Sequence, residues 1–178
     1  MRKLRVGCLV TLDGVHGAPR SWASPYFDEE AAEKSLAQLR RSDAMLMGRG
    51  TYEYFVQSWP NETGPYPDRV NEIGKYVFSS TLTTATWTNA VVVADDPADA
   101  VAELKRQGDG DLVVYGLGRL ARTLLDHDLV DELAVSVLPV LHGSGEPLFR
   151  PGAAPRHLDL ASVERSGSGV VTLTYTRA

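Results

Sequence analysis

The stretch LMGRGTYEYF, residues 46–55, runs from an apolar segment into a helix-like pattern. It sets Arg49 between Gly48 and Gly50, with Thr51 directly after. An apolar run that stops at a glycine and restarts with a longer period is the mark of a β-strand feeding an α-helix. Two glycines and a cation at that junction admit two readings. One is an ordinary strand-to-helix turn with a surface arginine; the other is a turn shaped to hold an anion. The first N–H groups of a helix are unpaired and point outward, so anions are favoured there. Gly48 lets backbone approach a ligand closely, Arg49 supplies a planar cation suited to phosphate, and Thr51 can cap the helix or donate to a phosphate.

Working outward, the same strand–turn–helix order recurs. KLRVGCLVTL (3–12) reads as a strand that stops at Asp13–Gly14, followed by a long loop over 14–27 containing Trp22, Tyr26 and Phe27. DEEAAEKSLAQLRRS (28–42) is a helix whose acidic start and basic end match the helix dipole. AMLMG (44–48) is a buried strand, TYEYFVQSW (51–59) a helix ended by Pro60, and YPDRVNEIG (66–74) a short helix. KYVFSS (75–80), AVVVA (90–94) and DLVVYG (111–116) are strands, with helices at PADAVAELKRQG (97–108) and LGRLARTLLDHD (117–128). The last third is strand-rich: DELAVSVLPV (131–140), RHLDLASVE (156–164) and GVVTLTYTR (169–177), the last two joined by RSGSG as a hairpin turn. Alternation followed by strands alone predicts an α/β fold with a mostly parallel sheet and an antiparallel C-terminal edge.

A chain of 178 residues suits a single domain over 1–178. The net charge of −5, with 18 scattered Lys and Arg, argues against a broad nucleic-acid footprint. Cys8 is the single cysteine and sits in an apolar run, which excludes an internal disulfide and reads as core. His16, His127, His142 and His157 have no metal-like spacing, so no metal site is expected. No apolar run approaches the ~20 residues of a membrane span, and the expectation is a cytoplasmic protein without membrane association.

Ligands of such sheets sit at the carboxyl ends of the strands. Besides GRGT, those ends carry Ser79 and Ser80 in VFSSTL, and the glycines of LVVYGLGRLA (112–121). Gly116, Gly118 and Ala121 fit the G-x-G-x-x-G/A dinucleotide pattern. A dinucleotide fold of that type also wants an acidic residue ending the next strand, whereas Asp131 and Glu132 begin theirs. The glycine turn is therefore read as a pyrophosphate cradle in a different fold. Three anion-friendly turns together favour a phosphorylated, dinucleotide-like ligand.

These turns, in this order, resemble the dihydrofolate reductase-like superfamily. It includes the dihydrofolate reductases and the C-terminal reductase domain of the bifunctional riboflavin-biosynthesis deaminase-reductase. The segments LVTLDG, LRRSDAMLMGRGTYE, KYVFSSTL, VVYGLGRLARTLL, LVDELAVSVLPVLHGSGEPLF and SGVVTLTY carry the resemblance over nearly the whole chain. It implies a three-layer α/β/α fold, NADPH as cofactor, and a homodimer, for which the C-terminal strands with their VLPVLHG edge (137–143) are read as the interface. Gly48, Arg49 and Thr51 then match the adenosine-phosphate segment, Arg49 with Ser79 and Ser80 the 2′-phosphate site, and Gly116, Gly118, Arg119 and Leu120 the pyrophosphate loop. On the substrate side, Asp13 matches the flexible first loop, and Trp22 and Asp28 the tryptophan and carboxylate before the first helix. Asp28 is read as the catalytic proton-assisting carboxylate or, equally, as a helix N-terminal residue. Glu53 either faces the substrate or is a solvated helix carboxylate.

The match to the riboflavin reductases breaks after SDAMLMGRGT, where they continue with an acidic segment and this chain has YEYF. No H-x-E with P-C-x-x-C zinc pattern is present in the sequence. The reading is an NADPH-dependent reductase of a C=N or C=O bond in a small heterocyclic, ribosylamino-pyrimidine-like or pterin-like substrate. A true dihydrofolate reductase and a non-catalytic nucleotide-binding module stay open beside it.

Overall fold

The computed structural model describes residues 1–149 and 154–178. In chain order its elements are β1 (Leu4–Thr11), β2 (Val15–His16), α1 (Glu29–Arg40), β3 (Ser42–Gly48), α2 (Arg49–Phe55), α3 (Pro65–Glu72) and β4 (Gly74–Phe78). There follow β5 (Ala90–Val93), α4 (Pro97–Leu104), β6 (Asp111–Tyr115), α5 (Arg119–Asp126), β7 (Glu132–Leu138), β8 (Glu146–Pro147), β9 (Leu158–Arg165) and β10 (Val171–Arg177).

Eight strands form one sheet in the order β5-β4-β3-β6-β1-β7-β10-β9, while β2 and β8 pair separately. From β5 through β7 every pairing is parallel; β10 runs antiparallel to both β7 and β9. The α/β fold with an antiparallel C-terminal edge is therefore as the sequence predicts. The VLPVLHG segment is not an edge, however. Val137 and Leu138 belong to β7, which is hydrogen-bonded to β1 on one side and β10 on the other, and β9 forms the sheet's edge.

The β3 run is apolar without alternation because both of its faces are covered. Ala44 and Leu46 pack with Val101, Leu120, Ala121 and Leu124 of α4 and α5. Met45 and Met47 point the other way, to Leu39 of α1 and Val70 of α3. Three layers follow directly. Cys8 lies in the first core, where burial pushes its thiol up to about 12.

At the amino-terminal end of the sheet, Asp131 joins three segments. It accepts hydrogen bonds from the Leu4 amide at 2.7 Å, the Lys105 ammonium, and Arg177 at 3.1 Å. The Lys105 side chain is only 6% exposed, so its charge depends on this partner and on the Leu129 carbonyl at 2.8 Å. Removing one member of a buried pair strands the other charge, which costs about 3 kcal/mol or more. Asp131→Ala is therefore expected to lower unfolding stability by ~3 kcal/mol in urea titration. A loss under ~1 kcal/mol would show that Lys105 finds water instead.

Candidate functional site

Three turns at the carboxyl end of the sheet, after β3, β4 and β6, open onto one cleft of about 1970 Å³. That exceeds the ~300–1,000 Å³ of a typical small-ligand pocket, so it has room for a large ligand and a smaller neighbour. All nine residues assigned to the cofactor line it: Gly48, Arg49, Thr51, Ser79, Ser80, Gly116, Gly118, Arg119 and Leu120.

Gly48 is the N-cap of α2 and Gly118 that of α5, and neither helix start has a side-chain cap. Their first-turn N–H groups thus meet no capping side chain. Thr51 sits in the first turn of α2 and lines the cleft without capping the helix. Gly116 has φ 85°, which favours glycine, and its N–H donates to the Gly7 carbonyl at 2.7 Å. Gly118 differs: its φ is −76°, and an added Cβ would meet nothing within 4 Å. The fold itself makes no demand for glycine there, whereas a ligand pressed against the backbone would.

Arg49 is held rather than free. Its Nε donates to Glu53 Oε1 at 2.6 Å, one helical turn on, and its Nη1 donates to Thr81 Oγ1 at 2.8 Å. Ser79 Oγ accepts from the Thr81 and Leu82 amides at 3.2 and 2.9 Å, which shapes the turn that brings Thr81 to Arg49. Sequence reasoning missed Thr81. The hydroxyl-rich SST run was its signal.

None of the four residues assigned to catalysis and substrate lines the cleft, and of these Glu53 alone touches this group, through Arg49. Glu53 is exposed and paired with Arg49. Asp28 caps α1, its Oδ1 accepting from the Ala31 amide at 2.9 Å. Trp22 is buried with Ala23 and Leu138, and its Nε1 donates to the Gly17 carbonyl at 3.1 Å. Asp13 accepts from Thr11 Oγ1 at 2.5 Å and from the His142 and Gly143 amides at 3.1 and 2.7 Å, tying the end of β1 to the loop before β8.

His16 has a more specific place. Its Nε2 accepts the Leu117 N–H at 3.1 Å, which fixes the ring to the glycine turn and puts the neutral ring's proton on Nδ1. Burial lowers its pKa, so the neutral form is favoured. The Nδ1 atom is buried without a partner.

The sequence reading did not assemble the aromatic side of the cleft. Tyr54, Phe55, Trp59, Tyr66 and Tyr115 line it, together with Phe27. Burial pushes the Tyr66 and Tyr115 phenols up, Tyr115 well above the usual range, so both stay neutral. The spacing of YEYFVQSW resembles any amphipathic helix, and only the tertiary fold brings residues 66 and 115 to the same wall. Among the described residues, no cluster of three or more His, Cys, Asp or Glu could hold a metal ion, and no helix is long and apolar enough to cross a membrane.

The model of the RibD C-terminal domain family matches residues 2–172. The uncharacterized protein YyaP of Bacillus subtilis (strain 168) is 30% identical over 142 residues, covering 77% of this chain and 75% of its own. A second uncharacterized protein of that organism, YwjB, is 28% identical over 136 residues, 76% of this chain and 74% of its own. Among solved structures, a putative riboflavin biosynthesis protein from Shewanella sp. PV-4 superposes with a TM-score of 0.81 at 23% identity, covering 99% of both chains.

The Asp13 clip has a pH signature. The Thr11 hydroxyl first, then the Gly143 and His142 amides, hold its carboxyl down to about 2. A carboxyl with a depressed folded pKa contributes its full share above its ordinary value near ~4 and loses it as pH falls through the folded value. The His142 and Gly143 amide resonances are thus expected to titrate with a midpoint near 2. Asp13→Ala abolishes that titration. A midpoint near ~4 would mean that the clip is open in solution.

Proposed function

Because the chain belongs to the RibD C-terminal domain family, we propose that it is an NADPH-dependent reductase of a small heterocyclic or carbonyl compound. The observation that carries this reading is the convergence on one cleft of two uncapped glycine helix starts and an arginine held at the first of them. An open Cβ position at Gly118 fits a pyrophosphate lying against backbone. When bound, the dihydronicotinamide supplies a hydride to a C=N or C=O carbon.

On this reading, Gly116 to Leu120 hold the pyrophosphate on the start of α5. Arg49, with Ser79, Ser80 and Thr81, receives the phosphate that distinguishes NADPH from NADH. Glu53 already neutralises Arg49 in part, so a bound phosphate competes with it for the guanidinium. Asp28 caps α1 and Trp22 supports the loop above the sheet; the proton for the reduced atom then comes from solvent or from a group in the cleft.

Titration with NADPH and NADH, followed through tryptophan quenching, tests this. Charge-assisted hydrogen bonds contribute ~1.5–3 kcal/mol, so Arg49→Ala is expected to weaken NADPH about tenfold or more and leave NADH unchanged. Glu53→Gln is expected to tighten NADPH by roughly two- to fivefold, because the competing carboxylate is gone. Nucleotide binding without turnover on any acceptor would identify a nucleotide-binding module instead. No binding of either nucleotide would remove the reductase reading.

A further inference from the structure

Resting on the reductase reading, we infer that His16 is a positioning residue for the cofactor. Its neutral ring latches the loop after β1 to the glycine turn before α5, and a protonated ring lets that turn go.

The turn hangs from two hydrogen bonds of different kinds. Gly116 N–H donates to the Gly7 carbonyl at 2.7 Å, a backbone bond that follows from the pairing of β1 with β6. Leu117 N–H donates to His16 Nε2 at 3.1 Å, a bond that joins residues 101 positions apart. The ring lies against the turn itself, since a Cβ added at Gly116 would meet Nε2 at 3.5 Å. Leu117 is buried, so its amide has little water to turn to when that acceptor is lost.

The loop is built to aim the ring. The short strand β2 pairs with β8, with His16 opposite Glu146. Val15 N–H donates to Thr11 Oγ1 at 2.8 Å, and Leu148 N–H to the Gly14 carbonyl at 2.9 Å. The two segments run so close that a Cβ at Gly145 would come within 2.6 Å of Val15 Cγ1. Arg122 of α5 donates to the Leu148 carbonyl at 3.1 Å, so the helix that follows the turn grips the same strand pair.

Nε2 accepts only while it carries no proton. In the protonated ring both nitrogens donate, and two N–H groups would face one another across the 3.1 Å contact. Burial, the largest influence, favours the neutral ring; Glu146 across the strand pair favours protonation, and Arg122 opposes it. Asp13 on the same loop is already ionised, and Cys8 of β1 stays a neutral thiol. The latch is therefore closed at neutral pH. It opens as pH falls through a midpoint below the ordinary histidine value near ~6.5. A pyrophosphate needs the turn's amides in one place, and a turn that must be ordered on binding costs affinity.

The test follows turn and ligand across pH in the full chain. By amide NMR, Gly116, Leu117 and Gly118 are expected to shift with the midpoint of the His16 ring. They stay flat in His16→Gln, whose side-chain oxygen accepts in the same place without titrating. In calorimetric titration with NADP⁺, wild-type affinity is expected to be level above that midpoint and about fivefold lower below it. His16→Gln keeps the higher affinity, and comparison at each pH cancels any titration of the nucleotide. His16→Leu is about fivefold weaker throughout. A histidine that only stabilised the fold would leave nucleotide affinity without this pH profile. Turn amides that ignore the ring, wild-type affinity in His16→Leu, or the same acid loss in His16→Gln would each overturn the inference. If the amides follow the ring and no nucleotide binds, the cofactor reading fails and the latch stands.

Discussion

The cleft depends on β6 being inserted between β1 and β3. Its Leu112, Val113 and Val114 are buried on both faces, and it is hydrogen-bonded along both edges, so it cannot slide independently. Register then does the alignment. Leu46 pairs with Val114, so Gly48 and Gly116 lie two residues further on and leave the sheet at one level. Gly48 also pairs with Phe78, so Ser79 leaves at that level too. Three turns distant in sequence become neighbours because parallel strands share a register, and a slip of one residue would reverse every buried face. The β6 position is also where the strand order reverses, the place where an open parallel sheet leaves a crevice.

Helix starts are handled in two ways in this fold. Asp28 and Asp96 cap the starts of α1 and α4. Arg2 donates to the carbonyls of Leu104, at the end of α4, and of Gln107 just past it, and the buried Lys75 ammonium donates to the Asn71, Ile73 and Thr88 carbonyls over the Trp87 ring. Burial lowers the Lys75 pKa to about 8, yet three carbonyls and an aromatic face remain as partners for its charge. At α2 and α5 the chain does the opposite and begins both helices with a glycine that offers no side-chain cap. The start of α3 at Gly64 also has no side-chain cap, so what distinguishes Gly48 and Gly118 is that both line the cleft.

Much of this was legible because it depends on local chemistry. Strand-to-helix junctions at Gly48 and Gly118, the acidic start of α1 and the SGSG hairpin turn each announce themselves within a few residues. The three turns that open onto the cleft could be found one by one, since each lies at the end of an apolar run. The substrate side was not legible in that way. Asp28 was read as a catalytic carboxylate and Glu53 as a substrate contact, but the folded chain gives Asp28 to a helix cap and Glu53 to Arg49. Tyr66 and Tyr115 come from different elements and meet only because α3 and β6 converge, which no local pattern records. The place of the VLPVLHG segment was misread for the same reason: strand order, and hence which strand is an edge, is a tertiary property.

The two halves of the cleft are therefore built from different materials. The half around Gly48, Gly116 and Gly118 is made mainly of backbone, with glycine turns aligned by strand register and an arginine, Arg49, held at the first of them. Backbone geometry survives substitution at most surrounding positions, because it is set by hydrogen bonding along whole strands. The other side is made of side chains mounted on the end of α2, the segments after it, and the last residue of β6. There a single substitution changes the chemistry without touching the sheet, and the acid expected after GRGT in riboflavin reductases is here replaced by YEYF. One half of the cleft is fixed and the other is open to change by the physics of the two constructions, since register constrains the first and only local packing constrains the second.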